Sequence, residues 1–485
     1  MKVVILTEAG EKIGFGHLNR CLSIETELKK HRIKSTFIVN SDHIGKNLLC
    51  RTNFLVFNWV RNREKLNYSL KNSHVAIIDS YLAPLSIYQY ISNNIALSLY
   101  LDDNNRLAYP KGIVVNGNAY AACLPYPKNK NKYLLGTKFA PLREEFNRIE
   151  QKRIREKITD ILITFGGSDV KNMTPRILKS ICHSYPNLNK KVIIGSGFKN
   201  INEIRSYSDP KTQLVFSPTG ARLKNLMQNS DVAISAGGQT IYELLQVGVP
   251  TIATAVANNQ ILNVKSLEKK KILLNLKPCG DEKIEDRITI LMTQLKNRDL
   301  RKKMSQLGKK LVDGKGTKRI VDFLLKYFIR KTVVLRKVRQ EDMLEIFNLS
   351  NEPHVRKASF QQEAISLSNH KKWFEEKLSS TSCLFFVVGF GKKIIGHLRL
   401  NIVKNHIAIM SISVSEKFQG LGIGTALLDH AIRRLRSHTL PVTEVIARIK
   451  ADNSSSIRFF KKSHFIYKRA FMVNSEKAVE YSYKI

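Results

Sequence analysis

Over the first 330 residues, short runs of contiguous apolar residues alternate with stretches whose apolar positions recur every three to four residues. Contiguous runs predict strands buried on both faces, and the 3.6 period predicts amphipathic helices. Strands are expected over 3–6, 35–39, 75–79, 97–101 and 113–115, with a helix over 18–30 after the first. A charged helical or linker stretch at 152–157 follows, and the pattern restarts at 160–165, continuing over 192–194, 213–216, 232–235 and 251–253. Strands alternating with helices imply parallel sheets, and two doubly wound units in succession imply a cleft between their strand ends. Near residue 330 the pattern changes. A strand over 333–337 precedes helical stretches at 341–350 and 363–378, then a hairpin of 384–390 and 394–401 around Gly391-Lys392-Lys393. A strand over 406–414 with alternating faces, a glycine turn at 419–424 and a helix over 425–436 complete the pattern. The expected organisation is 1–150 and 151–330 as two α/β lobes of doubly wound parallel sheet, and 331–485 as a mixed-sheet α+β domain.

Composition narrows the function classes. No apolar run approaches the ~20 residues of a membrane helix, and the N-terminal run is too short for a secretory signal. Six cysteines (Cys21, Cys50, Cys123, Cys182, Cys279 and Cys383) form no C-x-x-C pair, which argues against a zinc site or disulfide framework and predicts a cytoplasmic protein. The 80 Lys+Arg against 40 Asp+Glu give a net charge of +40. These basic residues are spread along the whole chain and form no arm or stripe, so nucleic acid is not the expected partner. A positive field suits anionic small molecules such as nucleotide-sugars or coenzyme A.

The first strand runs into Gly14-Phe15-Gly16-His17 and then a helix. Strand, glycine turn and helix start form an anion-binding corner of free backbone N–H groups. The third glycine of a dinucleotide fingerprint is missing, since Asn19 and Arg20 occupy its place. From these residues alone, His17 is either a structural histidine at a tight turn or a titratable group placed for chemistry beside a phosphate. Asp79, Asp102 and Asp103 stand at predicted C-terminal strand ends, where they either orient a ligand or cap helices.

Several segments in order carry a resemblance. They are Gly14-Phe15-Gly16-His17-Leu18-Asn19-Arg20-Cys21, Asp79-Ser80-Tyr81, Asp102-Asp103, Asn116-Gly117-Asn118, the run from Leu135 to Phe146, Thr164-Phe165-Gly166-Gly167-Ser168-Asp169, and Ala236-Gly237-Gly238-Gln239-Thr240-Ile241-Tyr242-Glu243. Together the front 330 residues resemble the UDP-sugar hydrolases of pseudaminic acid biosynthesis, which remove UDP from UDP-2,4-diacetamido-2,4,6-trideoxy-β-L-altropyranose. The resemblance implies a two-lobed glycosyltransferase-B-like fold with the site between the lobes. It gives His17 the role of base toward a water that displaces UDP with inversion. Gly14 and Gly16 would let the backbone approach the substrate, and Gly166, Gly167 and Ser168 would offer a second set of N–H donors at another helix start. Gly237 and Gly238 would line the nucleotide site, with Glu243 gripping ribose hydroxyls rather than standing as a solvated helix residue. No metal is expected, because direct hydrolysis needs none and no ligand cluster is evident.

In the third unit Gln419-Gly420-Leu421-Gly422-Ile423-Gly424 follows a strand ending at Val414 and opens a helix. This resembles the Q/R-x-x-G-x-G/A loop of the GCN5-related N-acetyltransferases, whose backbone N–H groups cradle the pyrophosphate of acetyl-CoA. The segment from Asn453 to Phe465 resembles the same family's last motif, which adds Asn453 to the expected coenzyme contacts. Leu335-Arg336…Asp342, Asn351, Val355-Arg356, His370 and Trp373-Phe374 resemble acetyltransferases of nucleotide-linked 4-amino sugars. That likeness implies that Asn351, Arg356 and His370 bind the sugar nucleotide; each is otherwise a surface residue. One departure stands out. Phe460 occupies the position of the tyrosine that protonates the departing thiolate, so either Tyr467, His464 or water substitutes for it or the thiolate leaves without a dedicated acid.

The combined expectation is a bifunctional enzyme that acetylates a UDP-4-amino-sugar with acetyl-CoA and hydrolyses the product. Its rivals are a glycosyltransferase with a sugar acceptor in place of water, and a nucleotide-sugar-binding protein with degenerate sites. Oligomeric state is not legible in the sequence.

Overall fold

A computed structural model of the chain describes residues 1–10, 13–41, 52–127, 131–277, 284–391, 393–403, 406–437 and 442–485. Cys50, Cys279 and Lys392 lie outside the described residues. The chain divides into two units, Met1–Leu324 and Leu325–Ile485, with the division inside the helix Gly316–Thr332.

The front unit contains two parallel sheets. The first comprises β1 (Lys2–Glu8), β2 (Lys34–Asn40), β3 (Phe54–Val56), β4 (Val75–Asp79), β5 (Leu97–Leu101), β6 (Ile113–Asn116) and β7 (Lys132–Leu135), in the order β3-β2-β1-β4-β5-β6-β7. The second comprises β8 (Asp160–Thr164), β9 (Asn189–Ile194), β10 (Thr212–Phe216), β11 (Val232–Ala236), β12 (Thr251–Thr254) and β13 (Leu273–Asn275), in the order β10-β9-β8-β11-β12-β13. The runs that read as contiguous apolar are buried on both faces: Val4, Leu6, Ile38, Ala76 and Ile78 share one core, and Ile161, Ile163, Val192 and Ile234 another. Chain order reverses direction beside β1 in one sheet and beside β8 in the other. Such switch points open crevices beyond the carboxyl ends of the strands. The glycine corner after β1 and the glycine loop after β8 both fall there.

The structure adds strands that the apolar pattern did not announce. β3, β7 and β13 are short, and each forms a sheet edge. Each is only three or four residues long, too short for an apolar run to stand out from its surroundings. The 152–157 stretch is non-helical. The buried Arg301 guanidinium fixes it by donating to the carbonyls of Arg155 and Glu156 at 2.9 and 2.6 Å.

The back unit is one mixed sheet of β14 (Val334–Lys337), β15 (Cys383–Phe390), β16 (Lys393–Val403), β17 (Ile407–Val414), β18 (Glu444–Lys450), β19 (Ile466–Val473) and β20 (Glu476–Lys484), in the order β14-β15-β16-β17-β18-β20-β19. Arg336 makes a bidentate ion pair with Asp342 at 2.6 and 2.7 Å, fixing the turn after β14. β17 and β18 are parallel and pair only from Ile407↔Glu444 to Met410↔Ala447. Beyond that register the two strands continue without pairing to each other, which opens a notch in the sheet directly before the 419–424 turn.

Candidate active site

His17 lies in the first turn of the helix Gly16–Lys30, at the carboxyl end of β1. Gly14 holds φ +79°, a left-handed conformation that favours glycine and turns the chain into this helix. No acidic side chain stands in the first turn and no side chain caps it, so its N–H groups face the cleft uncompensated. His17 is buried, and its Nδ1 is 2.6 Å from Asp79 Oδ1 at the end of β4. The adjacency of β1 and β4 in the sheet makes that contact. With the Nδ1 proton directed to Asp79, Nε2 is left as an acceptor, the arrangement of an oriented imidazole base.

Arg20, one turn along the same helix face, closes the network. Its guanidinium donates to both Asp79 oxygens, with Nη2 at 2.6 Å from Oδ1, and to Asp103 at 2.8 and 3.1 Å. Nη2 also lies 3.2 Å from His17 Nδ1, but the carboxylate is closer and carries the opposing charge. Burial opposes ionisation of Asp79 and Asp103, yet the Arg20 cation outweighs it and holds both carboxyls below their ordinary range. Tyr81 donates to Asp103, and its ring stands edge-on to His17 with centroids 4.6 Å apart. Burial and the Asp103 charge together push the Tyr81 phenol far above its ordinary pKa.

The three candidate aspartates therefore separate. Asp79 orients His17, and Asp103 anchors Arg20 and Tyr81. Asp102 is a turn residue that accepts from the Asn105 and Arg106 amides at 2.7 and 3.2 Å and from the Tyr109 hydroxyl at 2.9 Å.

The second lobe faces this corner. A Cβ on Gly167 would lie 3.0 Å from the Phe15 ring, and one on Gly14 would lie 3.8 Å from Ser168 Oγ. Gly14, Gly16, Gly166, Gly167 and Ser168 thus converge. The helix that follows is different from expectation, because Asp169 caps its Met173 and Thr174 amides at 2.9 and 2.7 Å. The amides of that helix start are thereby occupied by a carboxylate of the chain itself. Beside the 166–168 loop is a hollow of about 280 Å³ lined by Ser168, Asp169, Asn172, Gly197 and Lys199. Asn259 Nδ2 donates across the cleft to Tyr81 Oη at 3.0 Å, and Tyr242 Oη meets Asn118 at 3.2 Å.

Gly237 and Gly238 pack against Val264 and Gln260 on the next helix. Glu243 is buried and accepts both hydrogen bonds of a bidentate pair from Arg143, at 2.7 and 2.6 Å. Burial disfavours the Arg143 cation, but Glu243 reverses that and raises its pKa. Arg20, Arg143 and Asn259 received no role from sequence. Arg20's place three residues after His17 was a usable signal; the Arg143–Glu243 pair spans 100 positions and left none.

In the back unit Val414 ends β17, and Gln419–Gly424 follows a short helix at Glu416–Phe418. Gly420 and Gly422 take φ +74° and +86°, and the buried Ile423 opens the helix Ile423–Arg436, with Leu421 between the two turns. Asn453 caps the helix Ser454–Lys462 through the Ser456 amide at 3.0 Å. Glu352 and His354 hold this end of β17: Glu352 accepts from Ser415 Oγ and the Glu416 amide at 2.9 and 3.1 Å, and His354 Nε2 lies 3.0 Å from the Val414 carbonyl.

Of the residues expected to bind the sugar nucleotide, Asn351 and Arg356 bracket Glu352 and His354 in the chain. Asn351 is tied to the Ile365 backbone at 3.0 and 2.9 Å, and Arg356 to the Ser350 carbonyl at 2.7 Å. His370 is buried among Phe347, Trp373 and Phe374, with Nε2 lacking a partner. Phe460 is buried between Phe459 and Phe465, which leaves the exposed His464 and Tyr467 as the polar neighbours in sequence.

Among the described residues no helix is long and apolar enough to cross a membrane, and no group of three or more His, Cys, Asp or Glu is arranged to hold a metal. Residues 341–465 match the model of the acetyltransferase (GNAT) family, and residues 161–316 match the glycosyltransferase family 28 C-terminal domain. Among curated relatives, protein MJ1062 of Methanocaldococcus jannaschii is 28% identical over 52% of this chain and 55% of its own length. The pseudaminic acid cytidylyltransferase and UDP-2,4-diacetamido-2,4,6-trideoxy-β-L-altropyranose hydrolase of Helicobacter pylori is 26% identical over 55% of this chain and 47% of its own. The chain thus spans about half the length of these two relatives. The UDP-2,4-diacetamido-2,4,6-trideoxy-β-L-altropyranose hydrolase of Campylobacter jejuni is 24% identical over 56% of this chain and 97% of its own. The chain joins a glycosyltransferase-B-like front unit, similar to hydrolases of the pseudaminic acid pathway, to a back unit carrying a GNAT acetyltransferase domain.

Proposed function

We infer that the front unit hydrolyses a UDP-linked 2,4-diacetamido-2,4,6-trideoxy sugar, and that the back unit forms this substrate by acetylating a UDP-4-amino-sugar with acetyl-CoA. The observation that carries the first half is the His17–Asp79 contact at the mouth of the glycine corner. Water attacks the anomeric carbon, its proton passes to His17 Nε2, and the bond from that carbon to the diphosphate oxygen breaks. UDP leaves with the electron pair, and the anomeric centre inverts. Asp79 keeps the imidazole in the accepting tautomer and stabilises it once protonated. Backbone donors of Gly16, Gly166, Gly167 and Ser168 would face the departing diphosphate, while Gly14, whose amide is held by the Gly10 carbonyl at 2.7 Å, lets the backbone come close. The backbone of Gly237 and Gly238, packed against Val264 and Gln260, would line the nucleotide site. Glu243 has lone pairs left for ribose hydroxyls after accepting from Arg143.

In the back unit the notch between β17 and β18 and the turns at Gly420 and Gly422 suit an extended thioester arm and a diphosphate. A Cβ on Gly420 would meet nothing within 4 Å, so the backbone there is open to a ligand. Val414, Gln419–Gly424 and Asn453 form that wall. Asn351, Arg356 and His370 enter as residues that hold the acceptor side in shape.

The test is one incubation with acetyl-CoA and the UDP-4-amino-sugar. Coenzyme A release is expected first, then UDP and a free sugar of inverted anomeric configuration. A disaccharide or glycolipid product would overturn the hydrolase reading, and binding without turnover would overturn both halves.

A further inference from the structure

Arg330 stands in the last turn of the helix Gly316–Thr332, outside the 341–465 stretch that matches the acetyltransferase family. Its Nη2 lies 4.0 Å from the point a Cβ on Gly422 would occupy. An aromatic ladder holds this end of the helix beside the loop. Phe328, two residues earlier and buried, packs edge-on against Phe390 at 6.0 Å, and Phe390 packs on Phe418 at 5.8 Å. Phe418 immediately precedes Gln419, so the helix end and the loop are held by one cluster.

The loop brings no cation of its own. Gln419–Gly424 contains no charged side chain, and Gln419 Nε2 turns back toward the Val414 carbonyl at 3.4 Å. Arg330 is exposed and makes no hydrogen bond or ion pair with any described residue. A guanidinium with its donors unengaged, beside a turn of backbone N–H groups, matches the bidentate geometry of a diphosphate. We propose that Arg330 binds the diphosphate of coenzyme A, so that the helix leading into the acetyltransferase domain supplies a charge its own loop lacks. The proposal rests on the reading of 419–424 as the coenzyme loop.

Calorimetric titration of the full-length chain with coenzyme A tests it, with turnover of S-acetylpantetheine, which lacks the diphosphate, as the second readout. Arg330→Gln should weaken coenzyme A about tenfold, as loss of a charge-assisted contact does. It should flatten the salt dependence of binding and leave S-acetylpantetheine turnover and the melting midpoint unchanged. Arg330→Lys should recover part of the affinity. Unchanged affinity in Arg330→Gln, or equal loss toward both thioesters, would overturn the assignment. If the wild-type chain fails to bind coenzyme A, the loop reading itself falls.

Discussion

His17 and His397 are both buried, and they are opposites. His17 is paired with Asp79, which is charge-balanced by Arg20 and linked through Asp103 and Tyr81 to the other lobe. His397, on β16, has neither ring nitrogen hydrogen-bonded. It lies against Phe385 and is faced by Arg399 and His370. Burial, with those neighbouring positive groups, pushes its pKa down to about 3. A buried imidazole becomes a base only when a carboxylate orients it and steadies the charge it acquires; among aromatic rings and cations it is held neutral. The front unit has built that environment around a sequence-legible histidine. In the back unit, the histidine chosen from sequence, His370, belongs to the second kind of surroundings.

The contrast breaks most sharply at Asp79. Asp79→Asn keeps the shape but lets the imidazole take the wrong tautomer, so kcat for UDP release should fall by about 10² to 10⁴. Stopped-assay measurement of UDP checks this, and a loss below about threefold would remove Asp79 from the mechanism. Arg143→Met comes next. It leaves buried Glu243 without its cation, so the KM for the UDP-sugar should rise by about tenfold with kcat far less affected, and the front unit should melt earlier. A normal KM would show that Glu243 needs no partner.

The smallest effect on turnover lies at His397, whose signature is in stability and has a defined sign. The folded state holds this histidine neutral, so its contribution to stability is present above the unfolded pKa of about 6.5 and is lost as pH falls below it, down to about 3. Within that window the loss approaches about 1.4 kcal/mol per pH unit. His397→Leu should flatten the acid limb of the unfolding curve. An unchanged slope would mean that the folded protein already takes up the proton.

Legibility followed physical cause. Contiguous apolar runs on strands buried on both faces were readable, and so were glycine turns whose backbone conformation excludes most side chains. Short edge strands such as β3 and β13 were not, because three residues are too few to set a period apart from a chance apolar cluster. Asp79 and Asp103 looked alike in sequence to Asp102, and only the partners that the fold brings to each carboxylate separate their tasks. Arg143 and Glu243 carry no local mark of each other. Asn351 and Arg356 sit in a motif-like stretch, yet their side chains tie local backbone. Burial of His370 is a property of how its helix packs, which a single helix pattern does not disclose.

The most direct test of the central claim is the His17→Ala variant, given acetyl-CoA and the UDP-4-amino-sugar, with coenzyme A and UDP release followed separately. Coenzyme A release at the wild-type rate, accumulation of the acetylated UDP-sugar, and UDP release slowed by at least about 10² are expected. UDP release at the wild-type rate would contradict the claim and remove His17 as the base.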